Sequence, residues 1–426
     1  MKASAGNGAA PARTPRRVLI IVENLPVPFD RRVWQEATEL AGHGYVVSVI
    51  CPIAPGCEKR NEVLDGVHIH RHWMPREGND GLGYLLEYSN ALLWEFILAW
   101  KVLLTTGFDV IHASNPPDTI FLIGAFFKFF FGKKFIFDQH DIMPELYEAK
   151  FGRRGRLGKL IRLLERLTFR TADVSIATNN SYRQIAIDRG RMPPEKVFVV
   201  RNGPLLNRMK IMPPVARLKM GRRFMVGYLG VIGRQEGIEN LIEAVRYIVG
   251  EKGRHDIHFT IIGGGPALEE MRQLAAAVGV AAHITFTGRL QDPELLEILN
   301  TADVCVNPDA VNEMNDKSTM IKIMEYMSLA KPMVQFDVTE GRFSAAGASL
   351  YAIPNDPIDM GDKILRLIDD PVLRAEMGRI GRERIETNLA WHFQARNLLA
   401  AYDELFGVPT VLAGADQPPA GLRRIA

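Results

Sequence analysis

Val18-Leu19-Ile20-Ile21-Val22, followed by Asp30-Arg31-Arg32-Val33-Trp34-Gln35-Glu36-Ala37, is the stretch whose reading decides the fold. The first run is continuously aliphatic and mostly β-branched, the pattern of a parallel strand covered on both faces. In the second, Val33, Ala37, Leu40 and Ala41 recur at helical spacing, Asp30 stands where an N-cap belongs, and Gly42-His43-Gly44 stops the helix. A short strand, Val46–Ile50, completes a strand-helix-strand unit. Strands of the same kind recur at Asp109–His112, Phe135–Asp138, Val174–Ala177 and Val197–Val200. This alternation predicts a parallel, doubly wound α/β domain.

The strand pattern lapses from Leu205 to Arg223, where Pro213-Pro214 and a run of basic residues mark a linker. Phe224–Leu229 restarts the alternation, continued by a helix from Ile238 and strands at His258–Ile262, His283–Phe286, Val304–Val306 and Met333–Phe336. Trp391 to Leu405 reads as a closing helix, with Phe393, Leu398, Leu399 and Tyr402 available for burial. The expected organisation is a disordered leader (1–16), a Rossmann-like domain (17–205), a linker (206–223), a second Rossmann-like domain (224–390), a helix crossing back to the first domain (391–406) and a loose tail (407–426). Two such domains in series are expected to face each other across a cleft with the carboxyl edges of their sheets.

Composition narrows the function. A chain of 426 residues, 47% hydrophobic and 24% charged, has room for two or three globular domains at ~100–200 residues each. Lys plus Arg number 52 against 49 Asp plus Glu, and a net charge of +3 is too small to argue a nucleic-acid partner. Cys51, Cys57 and Cys305 form neither a CxxC pair nor a disulfide framework, so a reducing, cytoplasmic compartment is expected. The leader lacks the apolar core of a signal peptide, and the apolar run Thr119–Phe127 ends at Lys128, short of the ~20 residues that a spanning helix needs.

Neither first strand is followed by G-x-G-x-x-G; Glu23-Asn24-Leu25-Pro26 and Gly230-Val231-Ile232-Gly233-Arg234 stand there instead. That disfavours a nicotinamide dinucleotide, and the absence of GxxxxGK[ST] disfavours a P-loop nucleotidase. With no Asp-x-Asp and no carboxylates clustered at metal spacing, chemistry without metal or cofactor is expected. The richest stretch begins at Asn307-Pro308-Asp309 and runs from Asn315-Asp316-Lys317-Ser318-Thr319-Met320-Ile321-Lys322-Ile323-Met324-Glu325 to Lys331-Pro332. Ser318 or Thr319 is expected to cap a helix that packs through Ile323, Met324 and Met327. Its free N–H groups, dipole and flanking Lys317 and Lys322 suit a diphosphate, with Glu325 one turn further on reaching toward hydroxyls; a solvated Lys/Glu face is the alternative. Gly263-Gly264-Gly265-Pro266 reads either as a backbone approach to a ligand or as a tight turn before a helix.

That stretch, together with Gly227-Tyr228-Leu229-Gly230, Gly263 to Pro266, Phe286-Thr287-Gly288-Arg289, Arg201-Asn202-Gly203-Pro204 and His140-Asp141-Ile142-Met143-Pro144-Glu145, resembles the family 4 retaining glycosyltransferases from about Arg17 to about Leu405. The resemblance implies the GT-B architecture and transfer of a sugar from a UDP- or GDP-sugar, bound mainly by the second domain, to an acceptor held mainly by the first. It implies that His140 faces the transferred sugar and that Glu325, matching the second of a paired-glutamate motif, holds the ribose hydroxyls. Gly230, Gly264, Asn315, Lys317, Ser318 and Thr319 complete the expected donor site. This chain departs from the family at Lys317, where the first glutamate belongs, and at Val231 and Glu236, where many members have Arg and Lys. Because leaving-group charge must be stabilised, Arg234, Lys317 and Lys322 are expected to replace those cations. In such a reaction the departing phosphate oxygen takes the acceptor's proton, so no dedicated base is required. Asp30, Arg31 and Arg32 are either acceptor contacts or helix-start charges.

Between Lys150 and Arg170 lie Lys150, Arg153, Arg154, Arg156, Lys159, Arg162, Arg166 and Arg170 against the lone acid Glu165, with Leu157, Leu160, Ile161, Leu164 and Leu167 at helical spacing. This reads as a basic amphipathic helix, suited to an anionic membrane at ~1 kcal/mol per engaged charge. Leu92–Leu104 and Ile120–Phe131 are either core helices or additional apolar surface. The favoured function is glycosyl transfer to a lipid-linked or glycan acceptor at the inner membrane face, in cell-surface glycan synthesis. A sugar-nucleotide 2-epimerase and a non-catalytic sugar-nucleotide-binding protein are the alternatives. Nucleic acid is the weakest candidate and is not expected as a partner, because the basic run lacks interleaved aromatics and the total charge is low.

Overall fold

The computed structural model describes residues 15–74, 81–152 and 155–408. The expected leader and tail fall almost wholly outside the described residues, as do Arg153 and Arg154. Eight strands form the first sheet: β1 (Arg17–Val22), β2 (Val46–Pro52), β3 (Asn61–Leu64), β4 (Val67–His72), β5 (Val110–Ser114), β6 (Lys134–Gln139), β7 (Val174–Ala177) and β8 (Val197–Val199). Their order is β3-β4-β2-β1-β5-β6-β7-β8. The aliphatic run of β1 is buried along its whole length, as a strand in a two-face-covered sheet must be. Asp30 caps the Arg31–Gly42 helix as expected, its Oδ1 accepting from Val33 N at 3.1 Å.

One edge departs from the all-parallel expectation. β3 runs antiparallel to β4 through Asp65-Gly66, whose φ angles of 48° and 80° are those of a two-residue hairpin turn. An Asp-Gly pair tolerates that left-handed backbone and matches the twist of the flanking strands, so the short exposed strand folds back instead of crossing over.

The second sheet holds β9 (Phe224–Leu229), β10 (Ile257–Ile262), β11 (Ile284–Gly288), β12 (Val304–Asn307), β13 (Met333–Phe336) and β14 (Ser349–Ala352) in the order β11-β10-β9-β12-β13-β14. All its pairings are parallel. Counted from its own first strand the order is 3-2-1-4-5-6, that of a doubly wound nucleotide-binding sheet. Alternate residues of β9 feed two cores: Val226 and Tyr228 on one face, Met225 on the other with Cys305, Ile323 and Tyr326. Hence both faces are apolar and the polar chemistry is left to the strand ends.

By compactness the chain divides into one unit of Met1–His140 with Leu164–Ser175 and another of Asp141–Leu163 with Ile176–Ala426. Residues 206–223 are anchored within the second: Met209 is buried in its core, and the backbone N–H groups of Met212 and Val215 donate to Asn300 Oδ1 and Thr301 Oγ1. The Trp391–Phe406 helix buries Leu398 and Tyr402, and its Asn397 side chain donates to Val199 O of β8. Among the described residues no helix is long and apolar enough to cross a membrane.

Glu95 is an acid fully buried on the Gly81–Leu104 helix, and burial alone pushes its carboxyl up to about 8. The unfolded chain releases that proton near pH ~4.3. Stability from this group is therefore full below that pH and is lost as pH rises through about 8. Glu95→Gln is expected to raise the melting temperature by several degrees in alkaline buffer and far less in acid; an effect that does not grow with pH would contradict the burial argument.

Candidate functional site

In a doubly wound sheet, ligands meet the carboxyl ends of the strands where the order reverses, which in the second sheet is between β9 and β12. The loops that leave β9 and β10 are laced by their backbones: Gly230 N donates to Ile262 O and Ile232 N to Gly264 O. Gly263 has φ 143°, and a Cβ there would lie 1.7 Å from Gly230 O, so no larger residue fits the lacing. Gly264 differs, because the nearest atoms to a Cβ would be 3.9 Å away.

The Ile321–Ser328 helix starts at this edge. Its N-cap is Met320 and no side chain caps it, which corrects the expectation that Ser318 or Thr319 does so. The backbone is extended at Ser318, where the preceding Glu313–Lys317 helix ends, so the new helix begins later than the spacing suggested. Ser318 Oγ donates to Met314 O at 2.8 Å, and Thr319 Oγ1 accepts from Asn179 Nδ2 at 3.0 Å. Asn315 is buried and ties two loops together, its Nδ2 donating to Gln235 O and Ala310 O.

Lys322 opens the helix and turns back under the β9 loop. Its Nζ lies 2.7 Å from Asp309 Oδ1, 3.2 Å from Glu236 Oε2 and 3.3 Å from Tyr228 OH. Burial opposes the ammonium's charge, but Asp309, Tyr228 and Glu236 together hold its pKa well above the ordinary value. Burial pushes the Asp309 carboxyl up to about 7, with Lys322 pulling it down and Glu236 pushing it up. Glu236, which stands where the resemblance puts Lys in many members, is thus answered in space by a lysine from another element. Of the three cations expected to replace those of the family, Lys322 is already engaged with Asp309 and Glu236. Arg234 is the open cation, with its side chain 84% exposed and 3.5 Å from Glu270 Oε2. Lys317 pairs with Glu313 at 2.8 Å and stands 3.9 Å from Glu145, which is held by Arg189.

Glu325 lies one turn beyond Lys322 and is buried. Its Oε1 accepts from Arg208 Nη1 at 3.1 Å, and Arg208 grips Asp292 through Nε and Nη2 at 2.6 and 2.8 Å. Sequence reading missed both partners: Arg208 lies in the stretch assigned as linker, and nothing in its spacing points to Glu325.

In the first unit, His140 follows β6 and its Nε2 lies 2.5 Å from Asp138 Oδ2. Arg32 Nε lies 3.0 Å from the same Nε2, so this edge of the ring faces both the Asp138 carboxylate and the Arg32 guanidinium. Asn115 Oδ1 accepts from His140 N at 2.7 Å and fixes the loop. Arg32 is buried and bridges Asp138 at 2.7 Å and Glu36 at 3.1 Å, so it serves the interior and presents no open cation to an acceptor. Asp30 spends Oδ1 on its cap, while Arg31 is exposed. Burial would raise the Asp138 pKa, yet Arg32 and the two histidines hold it well below the usual carboxylate range; burial pushes Glu36 well above it. The absence of carboxylates at metal spacing holds along the chain but not in space, because Glu36, His112 and Asp138 bring ligand-type atoms within 4.8 Å of one another. Three separate elements supply them, and the Arg32 guanidinium already stands among them as a cation.

Asp309 gives a pH signature. The folded chain keeps its proton up to about pH 7 while the unfolded chain loses it near ~3.9, so stability falls as pH rises across that window. Relative to the parent, Asp309→Asn is expected to gain melting temperature between pH 5 and pH 8; a relative loss would mean that the Lys322 pair dominates burial.

Comparisons with known proteins bear on the fold and the family. Residues 30–203 match the glycosyl transferase 4-like domain and residues 223–370 the glycosyl transferases group 1 model. The chain is 31% identical over 196 residues to an alpha-D-kanosaminyltransferase of Streptomyces kanamyceticus, covering 45% of this chain and 47% of that protein. It is 27% identical over 201 residues to the GDP-mannose-dependent alpha-(1-6)-phosphatidylinositol monomannoside mannosyltransferase of Mycobacterium tuberculosis, covering 43% and 50%. The chain thus spans about half the length of the curated relatives it matches. Sucrose-phosphate synthase from Thermosynechococcus elongatus superposes with a TM-score of 0.73 at 18% identity, covering 92% of this chain and 100% of that one. Anabaena HepE, solved with UDP-glucose, does so with 0.68 at 14%, covering 91% and 99%. Two Rossmann-like parallel sheets and two matching family models make this chain a member of glycosyltransferase family 4 with the GT-B fold.

Proposed function

We propose that the chain is a retaining glycosyltransferase that moves a sugar from a UDP- or GDP-sugar onto a lipid-linked or glycan acceptor in cell-surface glycan synthesis. The observation that carries this reading is the uncapped start of the Ile321–Ser328 helix at the switch point of the second sheet, with Glu325 one turn further on. A helix start without a side-chain cap and the positive dipole end suit a diphosphate. Gly264 leaves room beside it, Arg234 supplies an open positive charge, and Glu325 accepts from the ribose hydroxyls. Lys322 contributes less net charge than its position suggests, because Asp309 and Glu236 already offset it.

In the proposed reaction the acceptor hydroxyl attacks the anomeric carbon on the face from which the diphosphate departs. Its proton passes to the departing phosphate oxygen, so the bond to the leaving group breaks as the new glycosidic bond forms. The helix start and Arg234 stabilise the charge that develops on the diphosphate. His140, oriented by Asp138, serves the transferred sugar. HepE was solved with UDP-glucose and the mycobacterial relative is named as GDP-mannose-dependent, which keeps both donor classes in the proposal.

The acceptor side of the proposal includes peripheral attachment to an anionic membrane. On the Arg156–Thr171 helix, Thr168 and Phe169 are buried while Leu157, Leu160 and Leu163 are 47%, 47% and 48% exposed. Exposed Lys159, Arg162, Arg166 and Arg170 lie among them. Outward leucines interleaved with bases suit headgroups and acyl chains together. The phenylalanine-rich helix, Phe121–Phe131, divides: Phe126 and Phe127 pack on Phe96 and Trp100, whereas Phe129 and Phe130 are 83% and 63% exposed.

A panel of UDP- and GDP-sugars is expected to give a selective rise in melting temperature with one donor class, because a ligand that binds only the folded state stabilises it. Arg234→Ala should weaken that nucleoside diphosphate about tenfold, as loss of a charged contact does, with little change for the nucleoside and none in unliganded stability. Equal losses for both ligands would move the diphosphate elsewhere. In flotation with anionic against neutral liposomes, the protein is expected to rise only with the anionic ones. Replacing Arg162 and Arg166 by Glu should abolish that; indifference to lipid charge would remove the membrane from the proposal.

A further inference from the structure

We infer that Arg208 is a positioning residue for the nucleoside: it fixes the Glu325 carboxylate for the ribose, and Asp292 fixes Arg208. The inference rests on the proposed donor role of Glu325 and deepens it. Three facts carry it. First, Arg208 is not a loose surface cation, since a tight turn returns Met209 N to Leu205 O and Met209 is buried in the core of the second unit. The guanidinium therefore starts from a fixed backbone. Second, its planar fork is engaged on every arm: Nε and Nη2 form a two-point pair with Asp292, whose helix, Asp292–Thr301, begins at that residue, and Nη1 donates to Glu325 Oε1 at 3.1 Å and to Met209 Sδ at 3.4 Å. A bidentate arginine pair fixes orientation as well as charge, which a lysine does not. Third, the Glu325 side chain is buried on a helix whose neighbouring residues are core, so one rotamer is set by packing and the Arg208 bond selects where its carboxylate points.

A carboxylate that is to accept from two neighbouring ribose hydroxyls must present its oxygens in one plane and at one height. Groups left unrestrained by their supporting shell lose this precision first. The segment that reads as a linker thus supplies part of the donor site.

The test compares the binding of UDP and GDP with that of their 2′,3′-dideoxy forms by calorimetry, using the full chain. The parent is expected to prefer the ribose form of its nucleotide by tenfold or more, and Glu325→Gln should erase that preference. Arg208→Gln should reduce it to near the Glu325→Gln level while leaving affinity for the dideoxy form unchanged. Arg208→Lys should recover only part, because a point charge cannot hold both Asp292 and Glu325. The double variant Arg208→Gln with Glu325→Gln should be no worse than Glu325→Gln alone, the non-additivity of residues that act through one contact. A purely structural Arg208 would weaken ribose and dideoxy forms equally and add to Glu325→Gln, which would overturn the inference. Asp292→Asn, at a half-exposed position, should loosen the same preference without unfolding the chain and covers the case in which Arg208→Gln does not fold. If Glu325→Gln leaves the preference intact, or neither nucleotide binds, the donor reading fails; if Glu325→Gln erases it and Arg208→Gln does not, only the role of Arg208 fails.

Discussion

Burying the ammonium of Lys322 is costly unless carboxylates come with it, and the edge of the second sheet is arranged around that requirement. Asp309 arrives on the loop after β12, Glu236 on the turn after β9, and Tyr228 contributes its ring face and hydroxyl from β9 itself. Three separate segments are thereby pinned to one nitrogen, and the helix that carries it also carries Glu325. The position of the candidate ribose contact therefore depends on an ion cluster that is itself close to neutral. This explains how a chain with Glu236 in place of a lysine still keeps a cation beside its glycine loop.

A second buried cluster organises the first unit in a related way. Arg32 lies between Asp138 and Glu36, and the contrast between those acids is physical: Asp138 accepts from arginine and histidine and stays charged, while Glu36, with weaker support, is driven toward its neutral form. His140 inherits its ring orientation from Asp138 and its backbone position from Asn115. Both clusters place charge at strand ends, where a parallel sheet with two apolar faces leaves room for it.

How much was legible depended on whether the determinant was local. The aliphatic run of β1, the Asp30 cap and the restart at Phe224 each act within a few residues, so pattern alone revealed them. The Asp65-Gly66 hairpin was equally local, but an expectation of unbroken parallel alternation passed over it. The start of the Ile321–Ser328 helix was misplaced because Ser318 and Thr319 are good caps in isolation, whereas tertiary partners, Met314 O and Asn179, claim their hydroxyls. Arg208 was illegible for a different reason: its partners, Asp292 and Glu325, are distant in sequence, and an isolated arginine in a proline-containing stretch carries no periodic signal. The Glu36, His112 and Asp138 grouping was hidden likewise: the helix and two strands that carry these residues are legible, but only the fold brings the three side chains together.

The backbone lacing at Gly263 has a mechanical outcome. Two loops joined carbonyl to amide, with no side chain to act as a spacer, behave as a single stiff lip, so the mouth they border cannot widen by letting one slide past the other. At Gly264, by contrast, a Cβ would have its nearest neighbours 3.9 Å away, so the same strand end can gain bulk there without breaking the joint.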